Sequence, residues 1–325
     1  MASGRTEWEL PGSEDRSGAG PGGLTVPGGG DETAAFPSGR ASPYRARPRP
    51  VNGGWLGSGD VTMPGGTAGP WDVAAYTRFS DERSRPFLDL VARVPSRSPG
   101  PVVDMGCGEG TMTAALADRW PGARVTGVDS SAEMLGAARP VPGRVEFVRA
   151  DVREWQPAAP VDVVVSNAVL HWVPRHEDLL VAWAGWLAPG GVLAVQVPGN
   201  WRAPSHALLD ALCRSPRWAD RLADAGPRPD TVLEPAEYAD LVSAAGLEPD
   251  VWETTYLHRL SGSDPVLAWV RSTVLRPVLA RLPGDDATAF TAEYAAALRT
   301  AYPERRDGTT LLPFRRIFVV GTRIS

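Results

Sequence analysis

Val102-Val103-Asp104-Met105-Gly106-Cys107-Gly108-Glu109-Gly110 reads as a short buried strand, 102–105, that carries a carboxylate near its end and runs into Gly-x-Gly-x-Gly. A helical stretch at 111–119 follows directly. Glycines let a backbone approach a ligand more closely than a Cβ would permit. The start of a helix offers free N–H groups and a positive dipole end to an anionic group. Such a turn alone is common to many strand–helix units, so its meaning depends on what surrounds it.

Working outward, strand-like runs recur at 124–128, 145–149, 161–166 and 191–197, with helical stretches at 131–139 and 178–187 between them. Strand–helix alternation of this kind implies a parallel sheet with helices on both faces. Residues 250–257 alternate like a further strand, and 316–323 form the last. The expected fold class is α/β: a doubly wound, mostly parallel seven-stranded sheet with helical lid insertions. The helical segments are 71–94, read as two short helices joined near Ser84 and interrupted by Pro86; 202–245, with its second helix at 235–245; and 264–301, with helices at 264–281 and 285–301. They are expected to stand over the carboxyl ends of the strands, where ligands bind in open α/β sheets.

The companions of the glycine turn strengthen it. Asp129 ends the second strand, where a carboxylate can accept both hydroxyls of an adenosine ribose. Asp151 follows the third strand, within reach of an adenine amino group. The fourth strand ends in Ser166-Asn167-Ala168-Val169-Leu170-His171-Trp172, and Leu187-Ala188-Pro189-Gly190-Gly191-Val192-Leu193 turns into the fifth. Gly190 and Gly191 read as turn formers. Cys107 reads as a small loop residue. A dinucleotide fingerprint would place its third glycine one position later, where this chain has Thr111.

This ordered set resembles the class I S-adenosylmethionine-dependent methyltransferases, whose Rossmann-like fold it implies. Asp104 fits that pattern as the acid that helps hold the cationic methionine end. The flanks are similar to the trans-aconitate methyltransferases: Trp71-Asp72 with Tyr76-Thr77-Arg78-Phe79-Ser80-Asp81-Glu82-Arg83-Ser84-Arg85-Pro86, then Gln196-Val197-Pro198-Gly199-Asn200-Trp201, Trp252-Glu253-Thr254-Thr255-Tyr256-Leu257-His258, Leu275-Arg276-Pro277 and Leu311-Leu312-Pro313-Phe314-Arg315-Arg316-Ile317-Phe318. The resemblance covers about residues 71–322. Met105, Glu109 and Thr111 stand where that family usually carries Leu, Pro and Asn, and His171 where Gln is familiar.

The resemblance implies methyl transfer from S-adenosylmethionine to a carboxylate of trans-aconitate, giving a monomethyl ester and S-adenosylhomocysteine. It implies cofactor contacts from Asp104, Gly106, Gly108, Gly110, Asp129, Ser130, Asp151, Val152 and Asn167. A carboxylic acid is already ionised at pH 7, so no catalytic base is expected. A tricarboxylate does call for cations. The chain has no lysine, and all 33 basic residues are Arg, so a clamp must use Arg, which can grip a carboxylate with two parallel hydrogen bonds. The expected acceptor-side residues are Arg83, Arg85, Arg276 and Arg315 with His258. Asn200, Trp201 and Tyr256 are expected as neutral donors or an aromatic wall, and His171 and Trp172 beside the acceptor or beneath the cofactor.

Composition bounds the rest. Of the 35 Gly and 32 Pro, 17 and 9 lie in residues 1–70, which show no apolar period and read as a disordered tail; translation from Met63 is an alternative start. The remaining 255 residues suffice for one large domain. A net charge of −5 argues against a nucleic-acid groove. The two cysteines, Cys107 and Cys213, form no disulfide framework or metal cluster. No secretory leader pattern and no apolar run of membrane-spanning length stand out, so the expectation is a cytoplasmic enzyme acting on a small polycarboxylate, with no nucleic-acid or membrane partner. The rival readings are a methyltransferase of the same fold with another acceptor, an NAD-dependent oxidoreductase, and a non-catalytic S-adenosylmethionine-binding protein.

Overall fold

The central strands are apolar on both faces, and that dictates their position. Val102, Val103, Val125, Val128, Val163, Val164, Val165, Val192, Leu193 and Val195 are all buried, as parallel strands covered by helices on both sides require. The computed structural model describes residues 80–227 and 232–324. The expected tail at 1–70, the alternative start at Met63 and the opening motif through Phe79 lie outside the described residues.

In chain order the elements are α1 (Ser80–Ala92), β1 (Pro101–Met105), α2 (Thr111–Arg119), β2 (Arg124–Asp129), α3 (Ala132–Ala137), β3 (Val145–Arg149), β4 (Val161–Asn167), a 3-10 turn (Leu170–Trp172), α4 (His176–Trp186) and β5 (Leu187–Pro198). They continue with α5 (Pro204–Cys213), α6 (Ala219–Leu222), α7 (Pro235–Ala244), β6 (Leu247–Ser261), α8 (Pro265–Arg271), α9 (Arg276–Leu279), α10 (Gly284–Ala301) and β7 (Thr309–Arg323). The seven strands form one sheet in the order β3-β2-β1-β4-β5-β7-β6. Strands β1 to β5 pair in parallel, and β7 runs antiparallel to both β5 and β6. This is the expected doubly wound, mostly parallel Rossmann-like methyltransferase fold. The strand order reverses between β1 and β4, which opens a crevice at their carboxyl ends.

Two apolar layers sandwich the sheet. On one face Val102, Val163, Val165 and Val192 pack with Phe87, Leu90, Leu116 and Trp120 from α1 and the α2 region. On the other, Val103, Met105, Val164 and Val195 pack with Leu180 and Trp183 of α4 and Tyr238 and Val242 of α7. A third core joins α5, α6, α8, α9 and α10, with Leu209, Trp218, Trp269, Phe290 and Tyr294 meeting Leu260 and Leu312 from the sheet.

That third core rests on a ribbon. Strands β6 and β7 are each 15 residues long, whereas β5 ends against β7 at the pair Pro198↔Arg316. Residues 309–315 of β7 pair only with β6 and carry the sheet past its carboxyl edge beneath the helices.

Four expectations change. First, α1 is continuous through Pro86 rather than broken near Ser84. Pro86, seventh of the 13 residues, forfeits one hydrogen bond in the helix interior, while Phe87, Leu90 and Val91 on one stripe hold the helix to the sheet. Second, α1 and α7 cover sheet faces instead of standing over the strand ends, because their apolar stripes are needed there. The helices over the ribbon come from 204–222 and 265–301. Third, the block at 264–281 is two short helices, α8 and α9. Fourth, the strands expected at 250–257 and 316–323 extend to 247–261 and 309–323.

Candidate active site

The glycine turn closes tightly on the sheet. The backbone N–H groups of Gly106 and Cys107 both donate to the Val128 carbonyl, at 2.7 and 3.0 Å. Gly106 has φ of +79°, and a Cβ there would lie 2.1 Å from a methyl of Val169. Glycine is therefore a packing requirement at this position. Gly108, with φ of +58°, is different: a Cβ there would meet nothing within 4 Å. Its missing side chain leaves backbone open for a ligand to approach. Gly110 caps the start of α2.

Acidic groups converge on the turn. Asp129 accepts from the Gly108 N–H at 2.9 Å through one oxygen and from the Ser131 N–H at 2.8 Å through the other. Asp104 is only 3% exposed and accepts from the Thr113 hydroxyl at 2.7 Å. Burial pushes its carboxyl up to about 7, against the opposing Thr113 hydrogen bond and with the Asp129 charge adding to the rise. A cation placed nearby would draw the proton off again, which suits a group carrying ammonium and sulfonium charge. At the end of β4, the side-chain carbonyl of Asn167 is buried with no hydrogen-bond partner among the described residues. Such an oxygen calls for an incoming donor. The open backbone at Gly108, the buried acid and this unsatisfied carbonyl together fit the methionine end of S-adenosylmethionine.

The other expected cofactor residues lie along the same edge. Val152 is buried and Ser130 exposed. Asp151 accepts from the backbone N–H and guanidinium of Arg153, at 2.8 and 2.9 Å. The Arg153 hydrogen bond holds its carboxyl below the usual range, so it is ionised, with part of its capacity engaged within its own turn.

On the acceptor side, alternation along β7 separates neighbours. Arg316 faces α1, on the side of Phe318 and Val320, and Arg315 faces α7, on the side of Ile317 and Val319. The Arg315 guanidinium is engaged by Glu253 at 3.0 Å and Glu234 at 2.6 Å. Asn200 is equally occupied: it donates to the Arg315 carbonyl at 3.0 Å and accepts from the Arg315 N–H at 2.8 Å. These two residues splice the end of β5 to β7. They also line, with Trp201, Glu234, Tyr302 and Arg305, a cavity of about 770 Å³ that the glycine turn does not reach.

The opposite face holds His171, Tyr256 and His258. Burial above all, then the charge of Arg316, pushes His171 down to about 3, and burial pushes His206 down to about 4. Both imidazoles are neutral at pH 7. His171 Nδ1 is buried without a hydrogen-bond partner among the described residues. Its ring centre is 4.7 Å from that of Trp172. The Trp201 indole meets His206 edge-on, with 5.4 Å between ring centres. The Tyr256 hydroxyl donates to Asp89 at 2.6 Å, with the Arg85 guanidinium 5.1 Å from its ring centre. His258 stacks on Trp269, with 4.6 Å between ring centres. Arg316, 5% exposed, donates to the Gln196 side-chain carbonyl at 3.4 Å and lies 4.5 Å from the Phe314 ring centre.

Arg316, not among the expected acceptor-side residues, is the buried one of the two. The signal lay in β-strand alternation counted from the buried Phe318. Arg276 sits at the start of α9, within electrostatic reach of Glu133 on α3. Arg83 belongs to α1, and its side chain lies outside the described ones.

The family model described as "Methyltransferase domain" matches residues 102–191, the stretch from the strand before the glycine turn into β5. A trans-aconitate 2-methyltransferase of Streptomyces avermitilis is 54% identical over 258 residues, covering 77% of this chain and 96% of that one. Its counterpart in Streptomyces coelicolor is 51% identical over 267 residues, 79% of this chain and 88% of that one. That of Mycobacterium tuberculosis is 48% identical over 251 residues, 77% and 95% of the two chains. With about half its residues shared along nearly the whole length of these relatives, and with the methyltransferase crevice in place, the chain belongs to the trans-aconitate 2-methyltransferase family.

Proposed function

We propose that this chain methylates a carboxylate of trans-aconitate, with S-adenosylmethionine as the methyl source. The observation that carries the reading is the crevice at β1 and β4, where open backbone at Gly108 meets buried Asp104 and the unsatisfied Asn167 carbonyl. Bound S-adenosylmethionine supplies the chemistry, a methyl group on a positively charged sulfur, passed to a carboxylate oxygen to leave the ester and S-adenosylhomocysteine.

The protein's own residues do the rest. Asp104, the backbone at Gly106 and Gly108, and Asn167 hold the methionine end; Asp129, with Ser130, takes the ribose, and Asp151 with Val152 borders the base. Asp104 ionises opposite the incoming positive charge. No side chain needs to remove a proton, since the acceptor is already a carboxylate at pH 7. His171 and His206, both neutral, line the acceptor side without competing for that role. Trp172, Tyr256 and His258 wall off water, and Arg85 adds positive charge at the rim. What these residues contribute is alignment and desolvation of the attacking oxygen.

The test is a transfer assay with methyl-labelled S-adenosylmethionine against a panel of mono-, di- and tricarboxylic acids. The reading expects trans-aconitate to have the highest kcat/KM; a different acid class far ahead of it would replace the acceptor and keep the cofactor assignment.

A further inference from the structure

Past the end of β5 the ribbon of β6 and β7 has two faces with different surroundings. On one, Leu312 and Phe314 join the helical core. On the other, Leu311, Pro313, Arg315 and Ile317 recur at every second residue of β7 and line the cavity of about 770 Å³, as strand alternation requires. The segments 199–204 after β5, 232–234 before α7 and 301–305 after α10 contribute the other walls.

That volume falls within the range of about 300–1,000 Å³ usual for small-molecule sites. Trp201, Leu233, Leu311 and Ile317 make much of the lining apolar. The Trp201 indole N–H is buried and lacks a hydrogen-bond partner among the described residues, so a wall of the cavity holds a donor still short of an acceptor. The charges of the lining do not balance. Arg315 is satisfied by Glu234 and Glu253. Arg202 and Arg305 line the same cavity and are both exposed. The Arg315 hydrogen bond holds the Glu234 carboxyl low, with the Arg202 charge a minor addition. Arg305 stands 4.0 Å from Asp307, which Arg259 holds more closely, at 3.0 Å. Two guanidiniums are thus in excess beside an apolar hollow.

We propose that this cavity is a second ligand site, suited to a small amphipathic carboxylate: an apolar ring or chain against Trp201 and Leu311, its anionic end toward Arg202 and Arg305. The site is separate from the reacting centre. An attacking oxygen must come within about 3–3.5 Å of the methyl carbon, and neither the turn at 106–110 nor Asn167 nor His171 lines this cavity. A carboxylate held here is bound without being methylated, whichever acid the crevice accepts.

The experiment is calorimetry on the full chain saturated with S-adenosylhomocysteine, with and without trans-aconitate. The probe is 4-phenylbutyrate, with 4-phenylbutyramide as its uncharged counterpart and acetate as the anion without an apolar body. One equivalent of phenylbutyrate should bind in both conditions, the amide about tenfold more weakly, and acetate not measurably up to about 10 mM. The double variant Arg202→Gln, Arg305→Gln should bind phenylbutyrate about tenfold more weakly, with S-adenosylhomocysteine affinity and acceptor kcat/KM within about twofold of wild type. Equal affinity for acid and amide in wild type, unchanged affinity in the double variant, or no phenylbutyrate binding would overturn the site. Displacement of phenylbutyrate by trans-aconitate, or an acceptor KM raised about tenfold in the double variant, would make the cavity the acceptor's own and overturn it equally.

Discussion

Arg315 and Arg316 are consecutive on β7 and face opposite sides of the sheet, one engaged by Glu234 and Glu253, the other buried beside Gln196. The alternation of a strand assigns them different work. Arg315 closes a carboxylate pair on the α7 face. Its ion pairs are substantially exposed on the glutamate side, at 50% and 48%. Arg315→Ala should therefore cost less than about 1 kcal/mol of stability per pair and leave acceptor KM close to wild type. Denaturant titration and steady-state kinetics on one preparation check both. A large rise in acceptor KM would move the clamp to the α7 face and its cavity.

The glycines of the turn should part company on substitution. Gly106→Ala forces a left-handed φ on a Cβ that collides with Val169, so a loss on the order of 2–5 kcal/mol is expected. Gly108→Ala meets open space and should cost only about 1 kcal/mol for its φ, while S-adenosylmethionine affinity falls on the order of tenfold. Thermal melts beside calorimetry separate the two; equal effects on both quantities would remove the distinction.

Asp104 sets a pH dependence whose sign is fixed. Its carboxyl titrates near 7 in the folded chain against 3.8 as the ordinary value, so the folded state without cofactor holds a proton that the unfolded state releases. Stability should fall as pH rises from about 4 to 7 and then level, by up to about 4 kcal/mol, at about 1.4 kcal/mol per pKa unit. Asp104→Asn should abolish that slope. S-adenosylmethionine binding favours the ionised form, so its affinity in wild type should rise from pH 6 to pH 8. A flat melting profile in wild type over this range would contradict the assignment.

The histidines should not appear in the rate. With His171 near 3 and His206 near 4, and with the acceptor ionised, kcat at saturating S-adenosylmethionine should be flat from pH 6 to 8.5. A limb near pH 6.5 that His171→Gln removes would assign the imidazole a proton-transfer role.

The glycine turn and its strand-end acids were legible because they are local: residue types, spacing and the strand–helix period lie within 102–172. The long ribbon was not, because Thr309–Arg315 owes its strand conformation to β6 across the sheet rather than to its own pattern. Pro86 suggested a break that the packing of Phe87, Leu90 and Val91 overrides. The burial of Arg316 and the glutamate partners of Arg315 follow from the two faces of β7 in the folded sheet, and the bonds of Asn200 to the Arg315 backbone from the joining of β5 to β7, neither of which is written in the local sequence.

The most direct measurement is product analysis after incubating the protein with trans-aconitate and methyl-labelled S-adenosylmethionine. The account predicts label in a monomethyl ester of the acid, released as methanol by mild base, with one S-adenosylhomocysteine formed per methyl transferred. Label that stays on carbon or nitrogen after base treatment, or no transfer to the acid at all, would contradict it.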